Sequence, residues 1–202
     1  MEQALGSSRR AEVTRNTRET EITLALDLDG RGQYEVSTGI GMLDHLLESL
    51  ARHAQFDLKI EAKGDIERDT HHLVEDLGIV LGQALNEALG DRAGIIRFGD
   101  AIVPLDEALA MVAIDLGGRA HSVIEMPFIR DLVGELPTEN VAHLLESFAR
   151  EGRFNLHVRM LSGDNDHHIA EAAVKGIARA LRTAVSIDER LAGEVPSTKG
   201  SL

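Results

Sequence analysis

Apolar and polar residues alternate through "EITLALDL" (21–28), break at a Gly-rich turn, and resume near 33–37, which predicts two neighbouring strands. The period then changes. "GMLDHLLESLARHA" (41–54) places its apolar residues at helical spacing, and "FDLKIEAKG" (56–64) returns to strand. "HHLVEDLGIVLGQALNEAL" (71–89) predicts a long helix that Asp69 or Thr70 can cap and Gly90 stops. The same succession then repeats, with strands near 109–116 and 120–126, a helix over 138–151, a strand over 155–161 and a helix over 166–184. Between the two runs, "GIIRFGDAIVPLDE" (94–107) reads as a short joining hairpin. The tail "DERLAGEVPSTKGSL" has no periodicity and reads as an extended loop.

The repetition extends to the letters. "HLLESLARHAQFDLKI" (45–60) matches "HLLESFAREGRFNLHV" (143–158) at an offset of 98, and "LALDLDGRGQYEV" (24–36) resembles "VAIDLGGRAHSVI" (112–124) at an offset of 88. Offsets that shift only at loops are those of a duplicated unit with small insertions. The expectation is a single α+β domain of two pseudo-symmetric ββαβα halves, 1–94 and 95–202, each sheet covered by helices on one side.

Composition narrows the function. With 202 residues, 43% hydrophobic and 27% charged, the chain has the balance of an ordinary globular protein. Aromatics are 3% and the formal charge is −13, which disfavours base stacking and repels nucleic acid. There is no cysteine, so thiolate nucleophiles, disulfides and Cys-based metal sites are excluded. The polar start has no apolar core of a secretory signal and no run reaches membrane-spanning length, so a cytoplasmic protein is expected.

The chemistry concentrates in "DTHHLVED" (69–76) and its echo "NDHHIAEA" (165–172). On a helix, positions i and i+4 share a face, so His71 with Glu75 and His167 with Glu171 can each chelate one ion. The adjacent His72 and His168 project about 100° further round and can reach a different one. His45 and His143 stand at matching places in the duplicated helices. Six His and two Glu suffice for two metal sites with positions left for substrate. One His-His-x-x-Glu is ordinary surface decoration; two copies in register are not readily explained as a solvated face. Imidazoles and carboxylates together leave Zn, Fe, Mn, Co and Ni open.

With "TGIGMLDHLLESLARHAQFDL", "GDIERDTHHLVEDLGIVLGQAL", "GDNDHHIAEAAVKGIARAL" and the terminal "STKG" in view, the chain resembles the imidazoleglycerol-phosphate dehydratases over nearly its whole length. Met42, Leu73 and Val174 depart from the residues common there without removing a ligand or a charge. The resemblance implies a ribosomal S5 domain 2-like fold and two Mn2+ ions bound between neighbouring subunits. One ion would take His45, His72, His167 and Glu171, the other His71, Glu75, His143 and His168. It also implies a homo-oligomer, an octahedral shell of twenty-four chains built from trimers.

The implied reaction is loss of water from D-erythro-imidazole glycerol phosphate, giving imidazole acetol phosphate in histidine biosynthesis. The hydrogen lost has no adjacent carbonyl. Metal coordination of both ring nitrogens would give an imidazolate able to expel the hydroxyl through a diazafulvene. Glu19 in "RETEI" is the first candidate for proton transfer, and Glu171 the second. His53, Arg97, Arg119, Lys175, Ser197, Thr198 and Lys199 are candidates for substrate and phosphate binding. Two rivals share the duplicated motif: a binuclear phosphomonoesterase and a non-catalytic metal-binding assembly. Neither explains the cationic set as well.

Overall fold

The computed structural model describes residues 9–191 and 193–200. The first half runs β1 (Arg10–Asn16), β2 (Thr20–Asp27), β3 (Tyr34–Ser37), α1 (Gly41–Ala54), β4 (Asp57–Gly64) and α2 (His71–Leu89). The second runs β5 (Phe98–Leu105), β6 (Ala108–Asp115), β7 (His121–Glu125), the small hairpin β8 (Leu132–Val133) and β9 (Leu136–Pro137), α3 (Thr138–Gly152), β10 (Asn155–Ser162) and α4 (Asp166–Val185). Apart from that hairpin, the two sheets have the same order, β1-β2-β4-β3 and β5-β6-β10-β7, each antiparallel except for its last, parallel pair.

The first half therefore begins with a strand that the pattern did not reveal, the second with a single strand where a hairpin was expected, and the repeating unit is βββαβα rather than ββαβα. β1 is an edge strand with a single buried side chain, Ala11, so its alternation is too weak to read. The expected joining hairpin is its counterpart: β5 pairs with β6 along its whole length, from Phe98 opposite Asp115 to Leu105 opposite Ala108.

α1 and α2 lie on the first sheet, α3 and α4 on the second, and the helix layers meet as α2 against α3 and α1 against α4. One continuous core runs through both halves, from Ile22, Leu24 and Ile60 through Leu46, Leu77 and Leu144 to Val112, Leu156 and Ile177. α2 and α3 approach closely because Gly78 and Gly82 present no side chain. A Cβ on Gly82 would lie 2.7 Å from Phe148 O and Gly152 N. Arg92, 4% exposed, ties the far ends of this pair. Its guanidinium donates to Asn86 Oδ1 (2.7 Å), Gly152 O (3.0 Å), Arg153 O (3.1 Å) and Leu116 O (3.3 Å).

At the other ends of these helices the caps fit the expectation in part. Asp69 Oδ1 accepts from His71 N at 2.9 Å, while Thr70 makes no side-chain cap. Asn165 Oδ1 accepts from His167 N at 3.0 Å. Both motifs thus open a helix at its first turn. The tail is pinned rather than loose: Gly94 N donates to Glu194 O, and Arg97 Nη1 donates to Pro196 O at 2.8 Å.

Candidate metal and substrate site

Three groups of candidate ligands form among the described residues; Glu19, Asp65 and His72 lie within the first half, and the other two are triads that mix the halves. His45 on α1 meets His167 and Glu171 on α4, while His71 and Glu75 on α2 meet His143 on α3. Within each triad the candidate ligand atoms lie within 4.8 Å of one another. In the first, His45 Nε2 and His167 Nε2 stand 3.4 and 3.2 Å from Glu171 Oε2. In the second, His71 and His143 stack at 4.7 Å between ring centroids, and His143 Nε2 is 3.7 Å from Glu75 Oε1. That nitrogen is buried without a hydrogen-bond partner among the described residues. A buried polar atom left unpaired is costly, and a cation placed between it and Glu75 would remove the cost. Two imidazoles and one carboxylate at this spacing suit a divalent transition ion.

His72 and His168 do not join these triads in the single chain. His72 Nδ1 sits 3.2 Å from Asp65 Oδ1 and 3.9 Å from Glu19 Oε2. His168 Nδ1 sits 2.7 Å from Glu107 Oε2. The hydrogen bonds that Asp65 accepts from His72 and Glu107 accepts from His168 raise the pKa of each imidazole, with the charge of Glu19 adding to the effect on His72. In return, the bond from His168, with backbone N–H groups including those of Asn165 and Asp164, lowers Glu107 to about 2. Asp65 and Glu107 were not singled out in the sequence. Glu107 could have been found, because it lies 88 residues after Glu19, the offset that already related the flanking strands.

Glu19 is exposed in the β1–β2 turn, and a buried network holds that turn. Asp76 on α2 accepts from Thr20 Oγ1 at 2.5 Å and from Arg15 Nε at 2.8 Å, next in sequence to Glu75. The matching ground under Glu107 is apolar, with Ala108 and Ala172 packed beside Ala110.

The cationic candidates fall into two groups. Lys175 Nζ lies 2.8 Å from Glu171 Oε1, one turn along α4. His53 is close enough for Lys175 and Arg179 to act on it, and burial together with those charges lowers its pKa. At the matching positions beside the second triad stand Ile79 and Glu151, and the cation there is Arg150, whose Nη2 lies 3.7 Å from Glu75 Oε1.

Arg97 belongs to the second group. It is paired with Asp115 (2.7 and 3.1 Å), bonded to the tail through Pro196, and abutted by Gly117, where a Cβ would come within 2.9 Å of Arg97 Nη2. Arg119 follows two residues on and is exposed, as are Thr198 and Lys199, with Ser197 half-buried. Arg97 N bonds Ala184 O, so this group sits at the C-terminal end of α4. Thirteen residues, about 20 Å of helix, separate Ala184 from Glu171.

A family model described as imidazoleglycerol-phosphate dehydratase matches residues 38–181. Similar curated proteins include the imidazoleglycerol-phosphate dehydratase of Chloroflexus aurantiacus, 55% identical over 96% of this chain and 95% of that one. Another is that of Azorhizobium caulinodans, 53% identical over 96% and 98%. Among solved structures, the Staphylococcus aureus enzyme aligns with a TM-score of 0.81 and 31% identity, over 89% of this chain and 99% of that one. The Pyrococcus furiosus enzyme gives 0.81 and 37%, over 94% and 100%. By matched length, fold and sequence alike, the chain belongs to the imidazoleglycerol-phosphate dehydratase family, whose members are hydro-lyases of histidine biosynthesis.

Proposed function

We propose that this chain dehydrates D-erythro-imidazole glycerol phosphate to imidazole acetol phosphate at a two-metal centre shared between subunits of a cytoplasmic homo-oligomer. The observation that carries the reading is the pair of His-His-Glu triads, each drawn from both halves, one of them with an orphaned His143 Nε2. Duplication of a single unit, with halves 1–94 and 95–202, accounts for the pairing.

His45, His167 and Glu171 would hold one Mn2+ ion and His71, Glu75 and His143 the other, with His72 and His168 completing them from neighbouring chains. The ions would supply Lewis acidity toward the two ring nitrogens of the substrate, lowering the pKa of the ring by several units. Glu171 is divided between two tasks. Lys175 occupies Oε1, so Oε2 remains for the ion. Burial opposes charge on this carboxyl, yet Lys175 and His45 outweigh it and keep its pKa below the usual value.

Glu19 carries the proton between the substrate carbons and solvent. Its carboxylate is exposed, anchored only through its backbone and the Thr20–Asp76 contact, and close to His72. Arg97, Arg119, Ser197, Thr198 and Lys199 form a cationic and hydroxyl-bearing pocket for phosphate, and Lys175 with His53 line the approach from the ions. Because Glu171 and the Arg97 group stand about 20 Å apart along α4, a substrate held by both the ions and the phosphate pocket would lie between subunits. Enclosure at such a junction would exclude water and strengthen each charge interaction. An octahedral shell of twenty-four chains, built from trimers, satisfies this requirement.

Incubating Mn2+-loaded protein with imidazole glycerol phosphate, and following enolate absorbance of the product in alkali, tests the reading. Ketone formation without release of inorganic phosphate is the expected outcome. Phosphate release without ketone would identify a phosphomonoesterase instead, and neither product would leave a metal-binding assembly.

A further inference from the structure

We infer that Glu107 is a positioning residue for the metal ligand His168, a task from which its counterpart Glu19 is released because Asp65 performs it for His72. The inference rests on the two-metal reading above.

Glu107 and Glu19 occupy the same place in the repeat, the tight turn between the first two strands of each half. His168 and His72 likewise correspond, each second in its helix-opening motif. Simple duplication would pair acid and imidazole alike in both halves. The distances differ: 2.7 Å from Glu107 to His168, but 3.9 Å from Glu19 to His72. What intervenes in the first half is Asp65, which takes His72 Nδ1 at 3.2 Å. The bulge at Leu161 shifts the strand offset by one, so the second half has Asp164 at that place, with Gly163 matching Gly64. The Asp164 side chain makes no hydrogen bond to His168 among the described residues, and its backbone N–H donates to Glu107 Oε1 at 3.4 Å instead. The turn acid takes over.

Both oxygens of Glu107 are committed. Oε1 accepts from the backbone N–H groups of Asn165 (3.0 Å) and Asp164 (3.4 Å), and Oε2 from His168. An ionised carboxylate only accepts, so His168 Nδ1 carries the hydrogen and the neutral ring offers Nε2 to an ion. Held this way, Glu107 cannot swing toward substrate. No hydrogen bond fixes the Glu19 carboxylate among the described residues, and 49% of its side chain is exposed. The repeat thus divides one ancestral position into a fixed acid that aims a ligand and a free acid that moves a proton.

Titration of Mn2+ into chelator-stripped protein, with free ion read by electron paramagnetic resonance, tests this on unaltered chain, Glu107→Ala, Glu107→Gln and Glu19→Gln. Two ions per chain are expected in the unaltered protein. Glu107→Ala should weaken one of them by about 10–100-fold. Glu107→Gln, which still accepts from Nδ1–H and is nearly isosteric, should weaken the same ion less. Glu19→Gln should keep both ions and lose turnover. Unchanged binding of both ions in the two Glu107 variants overturns the inference, and so does equal loss of both ions in Glu107→Gln. An unaltered protein that takes up no Mn2+ overturns the metal reading itself, and the inference with it.

Discussion

Ser197, Thr198 and Lys199 sit in a segment whose composition alone would suggest disorder, yet Arg97 reaches it through Pro196 O, and Lys199 N folds back to Ser197 Oγ at 3.2 Å. A lysine whose ammonium is otherwise exposed at the end of a pinned turn has little to do for stability. Lys199→Ala should therefore leave the melting temperature and Mn2+ content unchanged while raising KM for the phosphorylated substrate at least tenfold in steady-state assays. An unchanged KM would take the tail out of the phosphate pocket. The metal-ligand candidates could be read directly from the letters, because His-His-x-x-Glu written twice in register is a spacing with helical meaning. Asp65 could not, and Glu107 only through its offset of 88 from Glu19. A single carboxylate in a turn has no pattern of its own, and its role appears only when the fold brings an imidazole to it.

Among the secondary-structure elements, those buried on one face declared themselves, and all four helices and the inner strands fall within a few residues of their expected bounds. The first strand of each half did not, since an edge strand with one neighbour and few inward side chains needs little apolar alternation. Helix-to-helix spacing was equally silent. Gly78 and Gly82 interrupt a helical pattern without saying which helix they admit. For Gly82→Ala two effects compete. Helix propensity favours Ala by about 1 kcal/mol. The added methyl would meet backbone atoms of α3 at 2.7 Å, relieved only by parting the helices, and overpacking of that kind costs about 1–3 kcal/mol. The overlap wins. Calorimetry should show a net loss of stability, about 2–4 °C in melting temperature per kcal/mol. Mn2+ affinity should fall too, because His143 rides on the displaced helix. A variant as stable as the unaltered chain would mean that α3 yields more easily than its packing indicates.

For the whole molecule, the proposed reading of the Glu171 and Arg97 groups, separated along α4, would make assembly part of the chemistry rather than an accessory to it. A net charge of −13 on each chain opposes association, so close contacts between copies need compensating cations. If His72 and His168 complete ion sites on neighbours, chelation should shrink the particle. Light scattering before and after exhaustive chelation, and again after Mn2+ is restored, should record a fall in mass and its recovery. A mass indifferent to chelator would place all ligands of each ion within one chain. The two-half plan was visible in the offsets. The expected sharing of ions between subunits came only from the family resemblance, because no residue pattern within one chain encodes the distance between its two ends.

The bonds of Arg92 to the ends of α2 and α3 have one more mechanical consequence. Those two helices are joined at their C-terminal ends by a buried guanidinium and at their N-terminal ends by Asn140 Nδ2, which donates to Thr70 Oγ1 at 3.0 Å, with His71, Glu75 and His143 beside that second fastening. They form a frame bolted at both ends. An ion seized there would meet a gap already set, so the frame rather than the ion would decide what size of cation fits.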